Sequence, residues 1–231
     1  MATTITNTSI STDNVTVDTN VLKVDSANNR VGIGTATPSY TLHSTTSSGS
    51  DYAGYFHNSS GSGNSTGLLV RGGANNSGAG TFIVQDYGGN EDFKVDGIGR
   101  VTMPNQPYFY AGGTSNGTIT DGTIPFNSAA HNVGNHYNTS NYTFTAPITG
   151  KYLFTCSVLN YPSTQSAGEI YFSVNGGGYS PLARWFTITQ QESLTLSAIK
   201  LLSANDTIKV IGTLDYYVTS GHGHFAGMLL G

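Results

Sequence analysis

The segment Tyr137 to Val158, YNTSNYTFTAPITGKYLFTCSV, constrains the fold more than any other part of the chain. Two runs of alternating apolar and polar residues flank Ala146-Pro147-Ile148-Thr149-Gly150, the pattern of strand, corner and strand. Side chains alternate along a strand, so Tyr142 and Phe144 share a face in the first run. In the second, Tyr152, Phe154, Cys156 and Val158 share one face, and Leu153 and Leu159 stand with Thr155 and Ser157 on the other. With apolar residues on both faces, such a sheet needs a covering layer on each side, from its own chain or from a partner.

The surrounding sequence repeats this style. Two prolines in Met103-Pro104-Asn105-Gln106-Pro107 stop regular structure, and aromatic residues become dense from Tyr108 onward. Residues 104–231 are expected to form one compact domain. Its strands are predicted over 142–144, 151–159, 169–174, 182–188, 193–201, 207–212 and 225–230, with Asn175-Gly176 as a tight turn. Short strands between turn residues, with no helical periodicity, predict an all-β sandwich of jelly-roll type.

The first half reads differently. Leu22-Lys23-Val24-Asp25, a turn and Arg30-Val31 return as Phe93-Lys94-Val95-Asp96, a turn and Arg100-Val101, so one supersecondary unit is used twice. Between the copies, Tyr55-Phe56, Leu68-Leu69-Val70 and Phe82-Ile83-Val84 are short strand candidates separated by Gly, Ser and Asn. Such strands are too short to bury a core in a single chain; identical chains wound together would supply it. Residues 21–103 are therefore expected to form a β-structured stalk, the alternative being a flexible linker. Residues 1–20 carry too little apolar surface to fold alone and are expected to attach the protein to something else.

Charged residues make up 10% of the 231 and the net charge is -4, which leaves no basic face for nucleic acid or an anionic membrane. No apolar run reaches the ~20 residues that span a bilayer, so no membrane insertion is expected. The start, MATTITNTSI, has no signal-peptide pattern, and synthesis in a host cytoplasm is the expectation. The single cysteine, Cys156, forms no internal disulfide and reads as a small core residue.

Two resemblances sharpen this reading. LKVDSANNRVGIGTATPSYTLH and FIVQDYGGNEDFKVDGIGRV resemble the shafts of bacteriophage tail fibres and related virion appendages, which implies a parallel homotrimeric, elongated β-stalk. Residues 142–154, YTFTAPITGKYLF, together with Leu202 to Val210 and the closing Phe225 to Leu230, resemble the globular heads of the C1q and tumour-necrosis-factor superfamily. That likeness implies a trimeric jelly roll in which Tyr142, Phe144, Tyr152, Phe154, Phe225 and Leu229 serve the core or the trimer contact. The chain departs from the family pattern at Asn205, where a glycine often precedes the aspartate, and no collagen repeat precedes the head.

Catalysis has little to stand on. No nucleophile elbow or phosphate loop occurs, and the formally available carboxylate pairs for polysaccharide hydrolysis, Asp51 with Asp86 and Glu91 with Asp92, are supported by residue type alone. Gly221-His222-Gly223-His224 is the one metal candidate: if extended, both imidazoles lie on one face, and around a trimer axis they would form a six-nitrogen cage for a transition metal such as iron. The bland alternative is a loop with exposed histidines; no other cofactor is implied. Exposed tyrosines stack on sugar rings, which makes Tyr161, Tyr179, Trp185, Tyr216 and Tyr217 candidate receptor contacts, each equally readable as core.

The expected function is a homotrimeric tail fibre of a virion that binds a host-surface glycan or protein through its head without chemistry, its N-terminus joined to a tail, neck or capsid protein. The alternatives are a decoration fibre on the capsid or neck and a fibre with polysaccharide-degrading activity.

Overall fold

The computed structural model describes residues 14–17, 21–59, 68–72, 74–161, 168–177, 184–187 and 191–231. Of the expected features, most of the attachment segment 1–20, Tyr179 and the Trp185 side chain lie outside the described residues. The structure is all-β, with eighteen strands and a single 3-10 turn at Val133–Asn135 among the described residues. In chain order the strands are β1 (Asn14–Val17), β2 (Leu22–Asp25), β3 (Arg30–Ile33), β4 (Leu42–Ser44), β5 (Gly80–Gln85), β6 (Glu91–Asp96), β7 (Val101–Thr102), β8 (Tyr108–Gly112) and β9 (Gly117–Thr123). They continue as β10 (Ser128–Asn132), β11 (Tyr137–Asn138), β12 (Thr143–Thr145), β13 (Gly150–Asn160), β14 (Gly168–Val174), β15 (Arg184–Thr187), β16 (Glu192–Leu202), β17 (Thr207–Tyr217) and β18 (His224–Leu229). The chain divides into two compact units, 1–70 and 71–231.

In the first unit, β1, β2, β3 and β4 form one small sheet, antiparallel except for the parallel β3 and β4 pair. In the second, β5, β6 and β7 form a three-stranded antiparallel sheet. The two copies of the repeated phrase fold alike. After β2, the Asp25 carboxylate accepts the backbone N–H and the side-chain amide of Asn28, and Asn29 takes a left-handed φ of 53°. After β6, Asp96 accepts the backbone N–H groups of Ile98 and Arg100 and the Arg100 Nε, and Gly99 takes the left-handed position. The other two strand candidates differ from expectation: Tyr55-Phe56 and Leu68-Leu69-Val70 lie outside any strand, exposed, because two or three residues between Gly and Ser runs find no ladder partner in their own chain.

Residues from 108 onward form the sandwich. One layer runs β10, β8, β18, β13, β16, with β13 paired along its whole length to β16 and over Tyr152 to Ser157 to β18. The other is built on β17, which has β14 and then β15 on one side and β12, β11 and β9 on the other. The tail of β17 crosses over to pair Tyr216 and Tyr217 with the end of β13. Alternation in β13 holds residue by residue: Tyr152, Phe154, Cys156 and Val158 are fully buried, and the residues between them are not.

The core joining the layers is aromatic. Phe154 of the first layer meets Phe144 and Phe172 of the second at ring distances of 5.5 and 6.2 Å, and Phe109 stacks on Phe144 at 5.1 Å. Burying several such rings, at about 1.5–3 kcal/mol each, is the main favourable term available to the head. Gly227 in β18 makes room for them, since a Cβ there would lie 2.6 Å from both Phe109 and Phe154.

The opening segment and the two later phrases meet in space. The corner is held where Ala146 N–H donates to Asp206 O and Asn205 N–H donates to Ala146 O, both at 2.8 Å. Tyr152 closes it by donating its hydroxyl to Ile148 O. Asn205 has φ of 73°, which explains why a residue tolerant of the left-handed region stands where glycine is common. Four strands of the head, β8 to β11, were absent from the sequence expectation. They are short and polar on one face, and β9, with sequence GTITDGT, presents Ile119 alone as an aliphatic marker.

Candidate functional site

Two surfaces of the head differ from ordinary exterior. The first is the outer face of the β10, β8, β18, β13, β16 layer. Register aligns Tyr108, Met228, Leu153 and Ile199 in one row across four strands. Ile199 is 61% exposed and Met228 40%, and Leu201, two residues along β16 on the same face, is 63% exposed, so the row and its neighbour form an open apolar strip. A shallow hollow of about 220 Å³ lies on it, between Tyr108, Leu153, Thr155 and Met228.

The second surface is a cleft of about 280 Å³ where β9, β13 and β17 end together. Tyr161 and Tyr217 supply its aromatic walls, with ring centroids 5.8 Å apart, and the His222 ring meets Tyr217 edge to face at 5.0 Å. Asp215, buried in β17, accepts a hydrogen bond from the Thr118 hydroxyl, and its backbone carbonyl accepts the Tyr161 N–H. Asn116 is fixed on the same rim: its carbonyl oxygen accepts the N–H groups of Val218 and Thr219, and its amide nitrogen donates to the Thr219 hydroxyl. Gly117 lies against the Tyr216 phenol, where a Cβ would stand 3.0 Å from the hydroxyl.

The remaining sequence candidates separate. Phe144, Tyr152, Phe154 and Phe225 are fully buried; Tyr142 and Leu229 are half-buried and pack on the same core. Tyr142 does so from a turn position with φ of 60°, just ahead of β12. His222 and His224 do not share an extended face. Ser220 and Gly221 both take left-handed φ, His222 N–H closes a turn onto Thr219 O, and only His224 enters a strand, stacked on Tyr110 at 5.5 Å. Burial lowers the His224 pKa below its usual value. Among the described residues no group of three or more His, Cys, Asp or Glu is arranged to hold a metal ion.

The carboxylates are engaged in turns and surface contacts. Asp86 accepts the N–H and side-chain amide of Asn90, which hold its pKa below the usual carboxylate range. Glu91 pairs with Lys94 at 3.5 Å, and Asp92 accepts from the Asn105 amide; as neighbours in β6 they point to opposite faces and frame no common groove. Asp51 is exposed. Cys156 is buried in the core, which pushes its thiol pKa well up and keeps it from nucleophilic work. Sequence reasoning named Tyr161, Tyr216 and Tyr217 but missed Asn116, Thr118 and Asp215; the available signal was an acid placed inside the aromatic run Leu214-Asp215-Tyr216-Tyr217.

A family model described as the C1q domain matches residues 108–229, more than half of the chain. Among solved structures, the globular domain of a zebrafish complement 1qA protein is similar at 14% identity and TM-score 0.45, covering 55% of this chain and 98% of that one. Murine APRIL is similar at 14% identity and TM-score 0.45, covering 54% of this chain and 99% of that one. No curated protein sequence matches the chain.

Proposed function

The chain belongs to the C1q-domain family, and on that premise we propose that it is a homotrimeric virion fibre whose C-terminal head binds the surface of a host cell. Domains of this family are typically binding modules without catalysis and commonly form homotrimers. The observation that carries the reading is the open apolar strip on β8, β18, β13 and β16, whose exposed Ile199, Leu201 and Met228 gain most by burial against copies of themselves. The fibre part rests on the shaft-like phrases of residues 20–103 and on the exposed aliphatic and aromatic residues there, which likewise need neighbouring chains.

Adhesion then follows from multiplicity. Three heads on one stalk act at high effective concentration once the first has bound, so a weak single-site affinity is enough. The N-terminal segment would join the stalk to a tail, neck or capsid protein.

Light scattering tests the assembly: the intact chain is expected at three times 24.2 kDa, and Ile199→Asp with Met228→Asp is expected to leave a folded monomer. A monomeric mass for the intact chain at working concentration would falsify the trimer. Immunogold labelling of intact particles places the protein on tail, neck or capsid, and blocking of particle adsorption by purified protein reports receptor binding.

A further inference from the structure

We infer that the cleft between Tyr161, Tyr217 and Asp215 is a binding site for a single unit of a neutral saccharide. Its place in the head is the first argument. β13 runs about 33 Å from Gly150 to Asn160. At its first end, Lys151 N–H donates to Gly231 O and Leu229 N–H donates to Pro107 O, so the head begins and ends there. The cleft lies at the other end, where Tyr161 follows β13, and is presented away from the point at which the chain enters the sandwich.

Its chemistry is the second. Tyr161 is 53% exposed and its ring is tilted 52° from that of Tyr217, which offers two apolar faces for the C–H side of a pyranose ring. Around them Asn116, Thr118, Asp215 and the Tyr216 phenol bring amide, hydroxyl and carboxylate groups suited to sugar hydroxyls. Among the described residues lining the cleft, Asp215 alone is charged. With an acid and no lysine or arginine among the described lining residues, an anionic sugar or a phosphate is disfavoured, and a neutral hexose or N-acetylhexosamine fits.

Rigidity and size are the third. Asn116 is fixed by three hydrogen bonds, Asp215 by Thr118 and Tyr161, and Gly117 allows the Tyr216 phenol its close approach, so little ordering is left for the ligand to impose. A volume of about 280 Å³ is at the lower bound of small-ligand pockets, room for one sugar unit and far short of a protein footprint. This inference deepens the adhesion reading and takes its biological meaning from it.

The test uses the full chain and a panel of methyl glycosides of neutral hexoses and N-acetylhexosamines, with sialic acid and a phosphorylated hexose as anionic probes, read by saturation-transfer difference NMR. A neutral glycoside is expected to bind, Tyr161→Ala and Tyr217→Ala each to weaken it about tenfold, and Tyr161→Phe to retain it. Unchanged thermal transitions show that the variants fold. Binding of no neutral glycoside, preference for the anionic probes, or equal binding by the alanine variants overturns the site. Fluorescently labelled protein on host cells separates the two readings. Adhesion that survives Tyr161→Ala leaves the fibre reading standing without this site, and glycoside binding without adhesion leaves the site standing without the fibre reading.

Discussion

Residues 21–102 and residues 108–229 are both built from β-strands, yet they bury different things. Among the described residues, the buried apolar side chains before Phe109 are the prolines Pro38 and Pro107. In the earlier region Leu42, Phe82, Ile83, Val84 and Val101 sit in strands and stay exposed; the buried polar group is Asp96 with its three donors, and Asp25 with Asn28 orders an exposed turn. In the later region each layer covers the other with Phe109, Phe144, Phe154, Phe172 and Phe225. The contrast separates two ways of specifying a strand pair. Turn chemistry fixes register without supplying much free energy, whereas the sandwich supplies its own core and leaves one apolar strip over.

The largest expected effect comes from cutting the two regions apart. Residues 104–231 expressed alone are expected to unfold cooperatively on heating, and residues 21–103 alone to give no cooperative transition by circular dichroism at micromolar concentration. A cooperative, monomeric 21–103 would erase the distinction. Next is the core: Phe154→Ala is expected to cost the head about 3–5 kcal/mol in denaturant titration, and Phe82→Ala, half-exposed in a single chain, much less unless chains associate. Gly227→Ala probes the opposite error, overfilling the space between Phe109 and Phe154, at about 1–3 kcal/mol.

The smallest effect is in pH. Asp25, Asp86 and Asp96 have pKa values lowered chiefly by hydrogen bonds from Asn28, Asn90 and Arg100, so their contribution is present above the ordinary 3.8 and is lost as pH falls through the lower folded value. His224 is also lowered, by burial, but from 6.5. The unfolded chain therefore takes up its proton first, and the head begins to lose stability as pH falls below about 6.5. Melting temperatures of the head between pH 7 and 5 are expected to decline, and His224→Gln to remove that slope; an unchanged slope in the variant would assign it elsewhere.

How much was legible in the sequence follows the same divide. Alternation in β13 is unbroken over eleven residues, so the inward set Tyr152, Phe154, Cys156 and Val158 was readable directly. The Asp-anchored hairpins were readable as a repeat, because a turn held by its own side chains is a local property. Strands β8 and β9 were not, since their pairing with β18 and β17 is decided by distant partners, and β10 and β11 pair with nearby strands but have weak periodicity of their own. Tyr55-Phe56 and Leu68-Leu69-Val70 failed in the other direction, apolar enough for strands but without neighbours to pair with. The cleft was half visible. Its tyrosines stand out in any reading, whereas Asn116 and Thr118 become meaningful only once β9 is laid beside β17.

The position of β18 has a consequence for biosynthesis. It is the last of the described strands of the head, and it lies between β8 and β13 in the middle of its layer. While the ribosome still holds residues 224–229, the nascent head has a gap where Phe225 belongs, and Phe109 and Phe154 face it uncovered. Closure therefore waits until residues 224–229 have cleared the ribosome, and a polypeptide that stops short of β18 has no finished head.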